Sequence, residues 1–175
     1  MRIEFTVRLD TEVRHSVMSD WITRLKREEE EAEKASELST KRRLHEAKGI
    51  TAKAPAFWED LVDCLKDDAS RLREAFPQDN ERQCSVALRG NSCSVQGQKA
   101  PFTVLNLTFN VDGMCIDARW DSGDRKREQP TRRSTRFNLR LNVAEDLYVS
   151  NEDQTYTNPA HLAEYLIKRV CNIKD

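Results

Sequence analysis

The chain changes hydrophobic period several times, and each change marks an element. Residues 2–9 alternate Ile3, Phe5, Val7 and Leu9 with Arg2, Glu4, Thr6 and Arg8, which predicts a short strand. A helix reaching back over these residues is the alternative, because Phe5, Leu9, Val13 and Val17 are also spaced by four. Asp10-Thr11 favours the strand, since it reads as a helix start.

From Thr11 to Lys48 there is neither Pro nor Gly. Val13, Val17, Met18, Trp21, Ile22 and Leu25 share one broad face, which thins afterwards to Ala32, Ala35, Leu38 and Leu44. The pattern predicts a long helix, anchored by its first third and solvated beyond. Glu30/Lys34 and Glu37/Lys41 are i,i+4 pairs in the favourable orientation. Gly49-Ile50 suits a left-handed C-cap, with Ile50 folding back on Leu44. Thr51–Pro55 then reads as a linker. A second helix follows over 56–76, with Pro55 in its first turn and Pro77 ending it. Its stripe of Trp58, Leu61, Val62, Leu65, Ala69, Leu72 and Phe76 belongs to the core.

Residues 82–150 carry period-two alternation with turn residues between the runs. Gly90-Asn91 joins Cys84, Val86, Leu88 to Cys93, Val95, setting Leu88 opposite Cys93 and Val86 opposite Val95. Across Asp112-Gly113 the pattern sets Val111 opposite Met114, Phe109 opposite Ile116, Leu107 opposite Ala118 and Leu105 opposite Trp120. The other face receives Thr108 opposite Asp117 and Asn106 opposite Arg119. A polar loop from Ser122 to Arg132 leads to a strand with Phe137, Leu139, Leu141 and Val143 on one face. Arg136, Asn138, Arg140 and Asn142 take the other. A turn at Ala144-Glu145-Asp146 precedes a strand at 147–150, and Asn158-Pro159 starts a last helix with Leu162, Leu166, Val170 and Ile173 inward.

These elements predict an α+β protein: two N-terminal helices, an antiparallel sheet of about six strands, and a C-terminal helix, with all helices on one sheet face. Residues 1–50 form an arm and 51–175 a core, expected to fold as one unit. With the extra first strand, the element order resembles that of the lipid-binding START-like folds. The first helix is far too long and the last too short for that fold.

Composition adds a solvated surface: charged residues make up 34% of the chain and mean hydropathy is -0.77. The net charge of -1 hides a tilt, with 15 Lys/Arg against 18 Asp/Glu in residues 1–80 and 14 against 12 in residues 81–175. The N-terminus has no apolar run of signal-peptide length and no segment has the length of a membrane span, so the expected location is the cytoplasm. The five cysteines, with no CxxC, then read as reduced thiols.

Candidate chemistry is sparse. Glu12 and His15 have the helical spacing of a di-iron half-site, but His45 and His161 have no such partner, so a surface salt bridge is the plainer reading. Cys115 falls on the polar sheet face as a partly exposed thiol. Glu59, Asp60, Asp63, Asp67 and Asp68 occupy the outer face of the second helix. The five glycines form no phosphate cradle. No catalytic signature, cofactor or metal is implied.

The basic stretch stands out. Arg125, Lys126, Arg127, Arg132, Arg133, Arg136 and Arg140 face one acid, Glu128, and Arg119 joins them from the neighbouring strand. Clustered arginines suit phosphate oxygens through bidentate forks. Against that reading stand the near-neutral chain and the placing of Trp120 and Phe137 on the buried face, which leaves no aromatic to stack a base. The leading expectation is a non-enzymatic binding or protein-interaction module of unknown ligand. It would contact another protein, or a second copy, through the N-terminal helix or the sheet. The alternatives are a phosphate-backbone binder through 125–140 and a pocket protein for a small apolar ligand.

Overall fold

The computed structural model describes residues 9–99, 102–123 and 131–173, with side chains described from residue 20 onward. The predicted strand over 2–8 lies outside these residues, and Leu9 already begins a helix. That helix, α1 (Leu9–Ala75), is continuous for 67 residues. Seven strands follow: β1 (Cys84–Arg89), β2 (Ser92–Gly97), β3 (Phe102–Asn110), β4 (Cys115–Gly123), β5 (Thr131–Leu141), β6 (Leu147–Ser150) and β7 (Thr155–Tyr156). Helix α2 (Pro159–Val170) closes the order. The chain divides into two compact units, residues 1–45 and 46–175.

One helix stands where two are expected, and with it the order similar to START-like folds is lost. Pro55 lies inside α1. It has no N–H to donate to the carbonyl of Thr51, a defect worth about 3 kcal/mol in an isolated helix interior. The Thr51 hydroxyl also bonds back, to the carbonyl of Ala47 at 2.8 Å. The helix survives because its buried stripe runs straight through the defect: Ile50, Ala54, Phe57, Trp58, Leu61, Val62, Leu65 and Ala69 are all buried. Each large apolar side chain so buried contributes about 1.5–3 kcal/mol, which offsets one missing hydrogen bond several times over. Gly49 does not cap a helix. A Cβ there would sit 2.6 Å from Cδ1 of Leu141, so glycine leaves room for the end of β5.

The seven strands form one antiparallel meander in chain order. The expected register holds: Leu88 faces Cys93, Val86 faces Val95, Phe109 faces Ile116, Leu107 faces Ala118, Leu105 faces Trp120, Thr108 faces Asp117 and Asn106 faces Arg119. The β3–β4 turn differs in detail. The Met114 N–H closes it by donating to the Val111 carbonyl at 3.0 Å, and the left-handed residue is Met114 (φ 48), not Gly113. Gly113 instead makes room for Asn110, whose Oδ1 accepts from the Gly113 N–H at 2.8 Å.

One sheet face carries the core. Cys93, Val95, Leu105, Leu107, Phe109, Ile116, Ala118, Phe137, Leu139 and Val149 are buried with the stripes of α1 and α2 in a single cluster. Trp58 of α1 stacks on Phe109 at 5.5 Å between centroids and 10° between planes. Asn158 caps α2 by accepting from the Ala160 N–H at 2.8 Å, and Leu162, Ala163, Leu166, Ile167 and Val170 face inward. The seventh strand, absent from the sequence expectation, has two residues and therefore no alternation to detect. Its Tyr156 is buried at the sheet edge and packs edge-on against Phe137, 6.1 Å between centroids.

Candidate interaction surfaces

The open face of the sheet is built from the alternate residues of the same strands. Asn106, Thr108, Asp117, Arg119, Asp121, Ser134 and Arg136 line a shallow polar groove of about 830 Å³ on it. Strand β5 starts at Thr131, earlier than expected, so Arg132 and Arg133 belong to a strand and not to a loop. Alternation then divides the arginine cluster. Arg132 pairs with Asp121 and Arg136 with Asp117 on the open face, whereas Arg133 pairs with Trp120 on the helix side. The described arginines of the stretch therefore do not share one face. Arg125, Lys126 and Arg127 lie outside the described residues.

Each of the other described arginines of the cluster meets a carboxylate. Arg136 donates through Nε to Oδ1 of Asp117 at 2.8 Å. Arg119 and Arg132 share Asp121, at 3.4 and 3.3 Å. Arg140 lies 3.9 Å from Glu46. Two aspartates of β4 do most of the neutralising, Asp117 for Arg136 of β5 and Asp121 for both Arg132 of β5 and Arg119 of its own strand. Such exposed pairs add little to stability, because water screens them. Their larger effect is on the local field, because an arginine already facing a carboxylate attracts a further anion less.

Four of the five thiols are held away from the thiolate form. Cys115 is buried, 1% exposed, which corrects the partly exposed thiol expected on this face. Burial and the neighbouring Asp117 push its thiol up, away from the reactive thiolate. Burial likewise raises Cys93, and it raises Cys64 together with the aspartates around it. Cys84 is raised by its hydrogen bond to Cys171 and by burial. All five cysteines are free. Among the described residues no group of His, Cys, Asp and Glu could hold a metal ion, and no helix is long and apolar enough to cross a membrane. The side chains of the Glu12/His15 pair fall outside the described ones.

The second surface is the arm. From Asp20 to Leu44 every side chain is exposed, including the aromatic and aliphatic ones. Trp21 is 49% exposed, Ile22 41% and Leu25 44%. The apolar face that the sequence predicts is thus present at Trp21, Ile22 and Leu25. The arm's own structure is that of a regular helix: Lys41 lies 3.9 Å from Glu37, as the spacing predicts, and the Thr40 hydroxyl bonds the Ser36 carbonyl at 3.0 Å. No family model, curated protein or solved structure matches the chain.

Proposed function

We propose that the protein is a non-enzymatic interaction module whose helical arm pairs antiparallel with a second copy of the same chain. The observation that carries this reading is the exposure of Trp21, Ile22 and Leu25 on one helical face. Three large apolar side chains within five residues leave a patch that water solvates poorly, and covering it is favourable.

The arm supplies its own complement. At 100° per residue, Trp21, Ile22, Leu25, Ala32 and Ser36 fall on one stripe, large residues first and small residues after. Arg24 and Lys26 border the stripe on its two sides, and Glu31 and Glu33 border it further along. An antiparallel pair with its two-fold axis between residues 28 and 29 sets Leu25 against Ala32 of the second copy and Trp21 against Ser36. The same register brings Arg24 to Glu31 and Lys26 to Glu33. Symmetry makes every contact twice. Glu28 and Glu29 meet their own copies at the axis, a like-charge cost the pair has to carry. A parallel pair in register would do worse, with the whole run of Glu28–Glu31 and Glu33 facing itself.

The alternatives have less support. The arginines of the open face are largely neutralised by Asp117, Asp121 and Glu46, and the net charge is -1, which speaks against a phosphate-backbone track. The space between sheet and helices is filled by Trp58, Phe109, Leu61, Leu105 and Phe137, which speaks against an apolar-ligand pocket there.

Sedimentation of the full chain tests the reading. At concentrations on the order of 100 µM, an association worth about 5.5 kcal/mol is half populated. The wild type is expected to sediment as a monomer–dimer equilibrium and Leu25→Glu as a monomer, with the same thermal transition. A wild type that remains monomeric throughout would refute the proposal.

A further inference from the structure

The helix-side face of the sheet does not stay apolar to its end. Across β3, β4 and β5 the row Leu107–Ala118–Thr135 gives way to Leu105–Trp120–Arg133, and then to Thr103–Ser122–Thr131. The last turn of α2 and the residues after it lie beside these rows and leave an open groove of about 820 Å³. Among the described residues three cations line it, Arg133, Lys168 and Arg169, and no carboxylate does. Two of them have a structural reason to be there, since basic residues in a last turn complement the negative end of a helix. Lys168 is held by Glu164 at 3.0 Å, and Arg169 lies over the Tyr165 ring, 5.3 Å from its centroid. Arg133 has no such reason. It projects from β5 on the side opposite Arg132 and Arg136, and no described carboxylate pairs with it.

A second observation at the same place concerns Trp120. This residue lines the groove, is 6% exposed, and its Nε1–H is buried with no acceptor among the described residues. A buried donor without an acceptor is rare in a finished fold and asks for an explanation. An oxyanion seated against the indole edge would supply the acceptor. On the next row the Thr103 hydroxyl donates to Ser122 Oγ at 3.4 Å, which leaves the Ser122 O–H as a further donor.

We infer that this groove binds a small phosphomonoester, with the Arg133 guanidinium as the fork on its phosphate. Setting Glu164 against Lys168 leaves the charge of Arg133 and Arg169, which matches the near-dianion that a phosphomonoester carries at pH 7. The open-face arginines lie across the sheet and cannot extend the site into a track for a polyanion.

The three indole N–H signals of the full chain, labelled with nitrogen-15 at tryptophan, report on this directly. Inorganic phosphate is expected to move the Trp120 signal saturably and to leave those of Trp21 and Trp58 in place. Arg133→Gln changes an exposed side chain and should weaken that binding by about tenfold or more, because the bidentate contact is gone. Arg136→Gln on the open face should leave it unchanged. Acetate, a single-charged oxyanion, should bind far more weakly. An unmoved Trp120 signal, a titration equal in Arg133→Gln and wild type, or acetate binding as well as phosphate would each overturn the inference.

Discussion

Phe109→Ala is expected to cost the fold about 3 kcal/mol, while Thr108→Ala, one residue away, costs less than about 0.5 kcal/mol. The two side chains leave β3 on opposite faces. Phe109 is buried in the cluster and stacks on Trp58, so its removal deletes a ring from the sheet side of the core and leaves the Trp58 ring of α1 without its stacking partner. The cavity would lie under a helix that already contains a proline, and the backbone there has little freedom to collapse into it. Thr108 is exposed and stands opposite Asp117, where water replaces whatever is removed. The midpoint of urea unfolding, with unchanged slope, measures both costs. Equal costs at 108 and 109 would contradict the register.

The second large effect is expected in the arm. Reversing one side of the pairing, as Arg24→Glu with Lys26→Glu, sets four acidic residues where the register brings opposite charges together. Reversing the other side, as Glu31→Lys with Glu33→Lys, does the same with bases. Four lost pairs and the repulsion that replaces them amount to roughly 2–3 kcal/mol, on the order of 100-fold in self-association. Each double variant alone should therefore sediment as a monomer. Their mixture should recover a dimer, because each then meets the opposite charge. Failure of the mixture to associate would contradict the pairing even if both variants were folded.

The sheet was legible because its information is local. Period-two alternation on both sides of Asp112-Gly113 admits one register, and a slip of one residue would put Asn106 and Thr108 in the core. Strand ends were less legible. Thr131, Arg133 and Thr135 continue the inward face of Phe137 and Leu139, but they are polar, so the alternation of β5 is invisible before Phe137. That is why Arg133 was grouped with Arg132 and Arg136, and why the groove around it was missed. An extension of the period-two count through polar residues would have separated them.

The helix misled for a different reason. Pro55 and Gly49 are local stop signals, whereas the buried stripe from Ile50 to Ala69 is a tertiary fact that outweighs them. The stripe crosses Pro55 without a break in spacing, which is the signal that could have joined the two helices. Amphipathicity in the arm had the opposite limit. It identifies an apolar face at Trp21, Ile22 and Leu25 but says nothing of what covers it. Cys115 shows a similar limit, since its place on the polar face was legible and its burial beside Asp117 was not.

The central claim concerns how two arms meet, and a pair of spin-label distances tests it most directly. Labels at position 28 lie next to the proposed two-fold axis, so the two copies should be separated by little more than the 8–10 Å between packed helix axes plus the reach of the labels. Labels at position 39 lie at opposite ends of the pair, about 31 Å apart along the axis at 1.5 Å per residue. A short distance at 28 together with a long one at 39 is the result the antiparallel register predicts. Short distances at both positions would mean a parallel pair, and the absence of any dipolar coupling at either position would contradict self-association through the arm altogether.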